Sequence, residues 1–187
     1  MRPNSSTEKA LRIALKAAAA EGVDTLMLGG PDLVFPSFGQ IAIDQVPQAA
    51  HLIAALRRAD GIILGSPGYH GGISGLMKNA VDYVEEMSSD PAPYFDGRAV
   101  GCIVTAAGWQ ATATTLAALR GVIHALRGWP TPFGATINTA EDVFDGEGGC
   151  RSPRVQEQLE MVARQVVDFA FQRIGAANGP ALLEAPD

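Results

Sequence analysis

Apolar positions along the chain fall into two alternating patterns. Short, mostly apolar runs occur at Val23–Leu28, Gly61-Ile62-Ile63-Leu64-Gly65, Ala99–Thr105 and Pro132–Asn138, and they read as strands buried in a sheet. Between them, apolar residues recur at helical spacing. Residues 7–20 carry Leu11, Ala14, Leu15 and Ala18 on one face, behind Ser5, Ser6 and Thr7, with Ser5 and Glu8 at capping-box spacing. A second helix runs from Pro47 to Arg58. A third carries Leu76, Ala80, Tyr83, Val84 and Met87, with Lys78, Asp82 and Glu86 off that face. Further helices are predicted over 112–126 and, capped by Ser152-Pro153, over 153–174. Residues 31–46, 88–97 and the acidic, Gly-rich 139–151 show no period and read as loops.

Strands alternating with helices predict an α/β fold, a doubly wound parallel sheet in three layers. The predicted organisation is one domain over residues 1–175 and a tail over 176–187. Composition agrees: 187 residues, 47% apolar and 18% charged, are enough for a sizeable core and argue against disorder. The net charge of −6, with no Lys/Arg cluster, gives no support for a nucleic-acid or membrane partner. Cys102 and Cys150 stand far apart, with no CxxC and no metal-ligand cluster, so neither a disulfide framework nor a metal is expected. With no run long enough to span a bilayer, the expected location is the cytoplasm.

Ligands of such sheets bind where strands end at their carboxyl sides. Three segments have suitable chemistry. Ser66-Pro67-Gly68-Tyr69-His70-Gly71-Gly72-Ile73-Ser74 can bring bare backbone close to a flat ligand, with Tyr69 against a ring and His70 at a polar edge. Thr105-Ala106-Ala107-Gly108-Trp109 adds a hydroxyl, a glycine and an indole. Arg2-Pro3-Asn4-Ser5-Ser6-Thr7 joins a cation and hydroxyls to a helix amino end, which suits an anion. Plainer readings exist for each: Ser5, Ser6 and Thr7 serve equally as helix caps, Trp109 as a gap filler, and His51 and His124 as packing or solvated helix residues. Glu141, Asp142, Asp145 and Glu147 suit a solvated loop better than a metal. No Ser/His/Asp or Cys/His set has nucleophile spacing, so no catalytic side chain is assigned.

The stretch Gly65–Ser74 with Gly75-Leu76-Met77-Lys78-Asn79-Ala80-Val81-Asp82-Tyr83 closely resembles the signature of the NADPH-dependent FMN reductases. There a Pro-Glu-Tyr-Asn-like loop leads into a Leu-Lys-Asn-Ala-hydrophobic-Asp-aromatic helix. Arg2-Pro3-Asn4-Ser5 resembles the end of that family's Gly-Ser-x-Arg-x-x-Ser phosphate loop, and Thr105–Gly108 its second flavin-side loop. The resemblance implies a flavodoxin-like fold, a homodimer or homotetramer, and electron transfer from NADPH or NADH through FMN to a small-molecule acceptor such as a flavin, quinone, azo dye or metal oxyanion. It also implies that Arg2, Ser5 and Thr7 hold the phosphate, and that Pro67, Gly68, Tyr69, His70, Gly71, Thr105 and Gly108 line the isoalloxazine. Gly68 stands for the family's Glu and His70 for its Asn.

The family begins with a strand and Gly-Ser, and Met1-Arg2 corresponds to the point just after both. The expectation is therefore a flavodoxin-like sheet without its first strand. Either the natural product starts upstream or another segment fills the gap; otherwise FMN affinity is weakened. Three buried Val, Ile or Leu at about 1.5–3 kcal/mol each are comparable to a domain's whole stability of roughly 5–15 kcal/mol. The alternative functions are a flavodoxin-type electron carrier and a cofactor-free remnant of the fold.

Overall fold

In the computed structural model, which describes residues 4–178, the alternation becomes a sheet with helices on both faces. In chain order the elements are α1 (Ser6–Ala20), α2 (Pro47–Arg58), β1 (Gly61–Tyr69), β2 (Gly72–Ile73), α3 (Gly75–Asp82), β3 (Ala99–Ala106), α4 (Trp109–Ala125), β4 (Trp129–Asn138) and α5 (Pro153–Asn178). The sheet order is β2-β1-β3-β4; β1, β3 and β4 are parallel, and β2 folds back antiparallel on the end of β1. β3 is central. It pairs with β1 from Gly61↔Ala99 to Pro67↔Thr105 and with β4 as far as Ala106↔Asn138, and all of its residues are buried.

Side-chain alternation along the strands separates two cores. Ile62, Leu64, Val100, Cys102 and Val104 face α2, α4 and the 3₁₀ turn Tyr83–Met87, in which the predicted third helix ends beyond α3, meeting Ile53, Tyr83, Met87, Leu119 and Ile123. Ile103 and Ile137 face α1 and α5, meeting Ala10, Ala14, Leu159, Val162 and Ala163. The second layer sits close because glycines face it. A Cβ on Gly101 would lie 2.6 Å from Val162 Cγ1, and one on Gly65 would lie 2.8 Å from Leu11 Cδ1. The Ala-rich face of α1 is the counterpart of those glycines.

β4 is an edge strand, and its sequence suits an edge. Between the pairs Val100↔Pro130 and Cys102↔Gly134, Gly101 of β3 faces Thr131, Pro132 and Phe133 of β4. Prolines at 130 and 132 cannot offer ladder donors to another strand. The bulge's polar groups find partners: Arg120 donates to the carbonyls of Thr131 (2.8 Å) and Pro132 (2.9 Å), and the Phe133 N–H donates to Gln165 Oε1 (3.0 Å).

Several expectations are corrected. Val23–Leu28 is not a strand; among the described residues its backbone joins no ladder. Its apolar pattern suits a strand, but a strand also requires a neighbour to pair with. Residues 31–46 are mainly irregular but include a 3₁₀ turn at Ile43–Gln45, and another spans Gly30–Leu33. The 66–74 loop is largely a hairpin, because β1 runs on to Tyr69. α4 starts at Trp109, β4 at Trp129, and α5 continues to Asn178. The 139–151 loop is tied down: Lys9 Nζ donates to the Asp145 carbonyl (2.8 Å), Asp145 Oδ1 accepts the N–H groups of Glu147 and Gly149, and Arg151 pairs with Asp142.

Two predictions follow from the packing around β3. Gly101→Val should cost about 1–3 kcal/mol by overpacking against Val162, measured as a lower urea midpoint with an unchanged slope. Burial pushes the Cys102 thiol up to about 11, whereas Cys150 is only half-buried. An alkylating reagent near pH ~8, close to a free thiol's pKa, should therefore label Cys150 in the native protein and Cys102 only after unfolding.

Candidate functional site

β1 turns at its carboxyl end through His70 (φ 51°) and Gly71 (φ 85°), closed by the pair Tyr69↔Gly72 and then Gly68↔Ile73. Two positive φ values make the mirror-image turn that matches strand twist, and only Gly and a few polar residues accept them readily. Buried Ser66 closes the hairpin's base: its Oγ accepts the Ser74 N–H (3.0 Å) and donates to the Pro67 carbonyl (2.9 Å). Ser74 Oγ in turn caps α3 by accepting the Met77 N–H (3.2 Å). The hairpin leans on α4, where Thr115 Oγ1 donates to the Gly72 carbonyl (3.3 Å). A Cβ on Gly68 would come within 2.6 Å of that same Thr115 Oγ1, so the bareness of Gly68 is accounted for by helix packing. Tyr69, 58% exposed, and His70 are presented at the surface.

The second wall comes from the carboxyl ends of β3 and β4. Thr105 Oγ1 and Thr7 Oγ1, both buried, share a hydrogen bond of 2.6 Å, which fixes the start of α1 to the end of β3. Beyond Thr105 the chain turns through Gly108 (φ 118°), whose N–H donates to Asn138 Oδ1 (2.8 Å). Asn138 Oδ1 also accepts the Ala140 N–H (3.1 Å), and its Nδ2 donates to Glu141 Oε1 (3.1 Å). One asparagine therefore holds both post-strand turns.

The amino end of α1 forms the third wall. Ser5 is its N-cap, with Oγ accepting the Glu8 N–H at 3.2 Å, and the Lys9 N–H donates to the Ser5 carbonyl. That leaves Ser6 and Thr7 as the remaining first-turn donors. Glu8 is answered locally: Arg12 donates to it at 2.7 and 3.2 Å, and the Asn4 N–H at 3.1 Å. Its charge is thereby offset beside the helix end.

These walls border one cavity of about 1630 Å³. Ser5, Thr7, Pro67, Gly68, Tyr69, His70 and Thr105 line it together, as expected from the sequence; Gly71 and Gly108 are next to lining residues but outside the lining, and Arg2 lies outside the described residues. Ala106 and Ala107, from the Thr105–Trp109 segment singled out in the sequence, line it too, as does Thr139. Sequence reasoning missed Thr139, Asn138 and Thr115; the first two had only their position at a strand's carboxyl end as an advance signal, and Thr115, inside α4, had none. Asn79 and Tyr83, from the most recognisable part of the motif, hold the fold: Asn79 Nδ2 donates to the carbonyls of Phe35 and Pro36, and Tyr83 Oη donates to the Pro36 carbonyl.

A parallel sheet covered on both faces, with a cavity at the carboxyl ends of its strands, defines a flavodoxin-like protein. Solved structures bear this out. FerB, a flavoenzyme NAD(P)H:(acceptor) oxidoreductase from Paracoccus denitrificans, matches with a TM-score of 0.72 at 15% identity, over 92% of this chain and 93% of that one. The flavodoxin, WrbA-like protein from Agrobacterium tumefaciens matches with a TM-score of 0.64 at 19% identity, over 90% and 91%. The sequence profile of the NADPH-dependent FMN reductases matches residues 1–142, and the chain belongs to that family. It is also similar to the FMN-dependent NADPH-azoreductase of Staphylococcus aureus, 30% identical over 133 residues, or 68% of this chain and 66% of the azoreductase. The match thus spans just under two thirds of that relative.

The buried hydroxyl pair makes a test of this geometry. Thr105→Val leaves the Thr7 hydroxyl without its partner and should cost about 1–3 kcal/mol, whereas Thr7→Val with Thr105→Val together should cost less than the sum of the single changes. Chemical denaturation of the three variants measures this.

Proposed function

We propose that this chain is an FMN-dependent NAD(P)H oxidoreductase that passes electrons to a small-molecule acceptor. One observation carries the reading: the amino end of α1, the Pro67–His70 hairpin and the Thr105–Ala107 turn border a single cavity. The donor set fits the cofactor. Hydroxyls and first-turn N–H groups from Ser5 to Thr7 suit a phosphate, with Arg2 three positions earlier in sequence as the expected cation, and the exposed ring of Tyr69 offers an apolar face to a flat heterocycle. When bound, FMN supplies the redox chemistry, taking hydride from the nicotinamide and yielding electrons to the acceptor.

The protein's own part is to bind and orient. Thr7 and Thr105 fix the phosphate end relative to the ring side; Asn138 keeps the Gly108 turn in place; the Ser66–Ser74 clamp sets where Tyr69 and His70 stand. His70 reaches the ring's polar edge in this reading, with Gly68 beside it held bare by Thr115, and Gly71 and Gly108 put no side chain near the ring. No protein acid or base is required for hydride transfer, so no catalytic residue is assigned. The acceptor is a quinone, flavin or azo compound, the last suggested by the relative's name. Residues 1–175 act as one domain, a reading supported by two cores sharing one sheet. Exposed Trp129, packed at a tilt beside Phe169 with ring centroids 6.0 Å apart, gives a surface on which a homodimer or homotetramer can form. Action in the cytoplasm completes the proposal; among the described residues no helix is long and apolar enough to cross a membrane.

The test loads purified protein with FMN, removes free flavin, and follows NADPH and NADH oxidation with a quinone and an azo dye. Retained flavin, a raised thermal midpoint and acceptor-dependent oxidation are expected, with Thr7→Val lowering flavin retention. Retained flavin without nicotinamide oxidation would support an electron carrier instead, and no flavin-induced midpoint shift would overturn both readings.

A further inference from the structure

One large aromatic side chain stands at the rim of the cavity without a partner. Trp109 opens α4 directly after the Gly108 turn and is 50% exposed. Among the described residues its ring meets no other aromatic ring; the pairs are Phe35 and Phe38 with Tyr83, and Trp129 with Phe169. A side chain half in water fills no gap, so packing does not account for an indole at this position. Trp129, the second of the two tryptophans, lies at the opposite end of the sheet, where β4 begins.

The placement of Trp109 follows from the backbone. Side chains on a helix tilt toward its amino end, and the amino end of α4 lies just past the carboxyl end of β3. Ala107, two positions before Trp109, and Ala111, two positions after it, line the cavity, whereas Trp109 itself does not. The indole thus stands at the mouth and leaves the interior clear. The β1 hairpin adjoins it: a Cβ on Gly68 would lie 3.3 Å from the Ala111 carbonyl oxygen, and Thr115 Oγ1 donates to the Gly72 carbonyl. Tyr69 and Trp109, both exposed, come to the same mouth from elements packed together. The turn beneath the indole is fixed on three sides. The Gly108 N–H donates to Asn138 Oδ1 (2.8 Å), the Thr112 N–H to the Gly108 carbonyl (3.3 Å), and Thr112 Oγ1 to the Trp109 carbonyl (2.8 Å). Only the side-chain torsions remain to be ordered when a ligand lands, a low entropic cost for so large a contact face.

We propose that Trp109 is the platform on which the electron acceptor stacks, and that it selects planar aromatic acceptors, quinones and azo arenes, over acceptors without a ring. The proposal rests on the FMN reading above, since the acceptor enters through the mouth of that site. Tyr69 faces the cofactor ring in that reading, which leaves Trp109 as the aromatic face still open at the mouth. Indole has the most electron-rich face among the aromatic side chains. A quinone is electron-poor, so the two stacked faces attract beyond the apolar area that they cover. The indole N–H, a donor only, suits a quinone carbonyl or an azo nitrogen, both acceptors. Along the wall, Ala106, Ala107 and Ala111 are small and leave width for a flat ring.

The test uses FMN-loaded protein and compares 1,4-naphthoquinone with ferricyanide, an acceptor that has no ring. In Trp109→Ala the KM for naphthoquinone should rise about tenfold, the order of one aromatic stack, with kcat kept. The ratio of kcat/KM for naphthoquinone to that for ferricyanide should fall by the same factor, and Trp109→Phe should recover most of it. Binding is read without nicotinamide in Trp129→Phe, where Trp109 is the one indole left. Naphthoquinone should quench its fluorescence saturably and shield it from acrylamide. An unchanged acceptor ratio in Trp109→Ala, with flavin retained and NADPH oxidised, would overturn the assignment of Trp109 and leave the FMN reading standing. So would quenching that stays linear in naphthoquinone, as collisions give. Loss of flavin from Trp109→Ala would make the indole a cofactor contact, and a Trp109 signal that changes with protein concentration would make it an interface between copies; either overturns the proposal. Wild-type protein that holds no flavin overturns the FMN reading and this proposal with it.

Discussion

Every other element in this protein takes its place from β3. A strand buried along all its residues must satisfy its backbone on both edges and its side chains on both faces. β1 and β4 supply the first, and the two helical layers the second. The glycine at 101 lets Val162 come close on one side, while Val100, Cys102 and Val104 fill the other. The free Cys102 thiol is held neutral by the same burial. Removing the fit at β3 would loosen both cores together, because it is the element that they share most fully.

The candidate site is a consequence of where β1, β3 and β4 stop. Their carboxyl ends lie in register, Pro67 beside Thr105 and Ala106 beside Asn138, so the turns that follow all open on one side of the sheet. The details are then decided by hydrogen bonds: Ser66 to Ser74, Thr7 to Thr105, Asn138 to Gly108 and Ala140. Each ties a turn to a neighbouring element, so the walls of the cavity are held by contacts far apart in sequence. The positive φ angles at His70, Gly71 and Gly108 sit in these turns. The local cost of such backbone is offset by the strands and helices on either side.

Much of this was legible before any coordinates, and the boundary of legibility has a physical meaning. β1 and β3 could be read because burial on both faces makes each a continuous apolar run, and the helices because burial on one face imposes a period that one segment carries by itself. The hairpin at Tyr69–Gly72 was read only as a glycine-rich loop, since β2 consists of two residues and has no period of its own. Val23–Leu28 was misread for the opposite reason: the apolar pattern was present, but ladder pairing depends on a neighbour that composition cannot report. Asn138 was missed because its importance arises only once β4 ends beside the Gly108 turn, and the Thr7–Thr105 bond because 98 positions separate its partners. Asn79 and Tyr83 were recognisable as motif, yet what they hold is the Phe35–Phe38 segment. A familiar signature can therefore mark a packing requirement as readily as a ligand contact.

The cavity runs on beyond the carboxyl ends of the strands, and α1 borders both of its parts. Leu11 and Leu15 line the inner part, while Ser5 and Thr7 stand at the amino end of the same helix. An anion held at that end would restrain the helix whose apolar face packs over the inner part. Thr7 is the residue through which such a restraint would reach β3, because its hydroxyl is bonded to Thr105. The site's polar end and the sheet's central strand are thus held by one short contact.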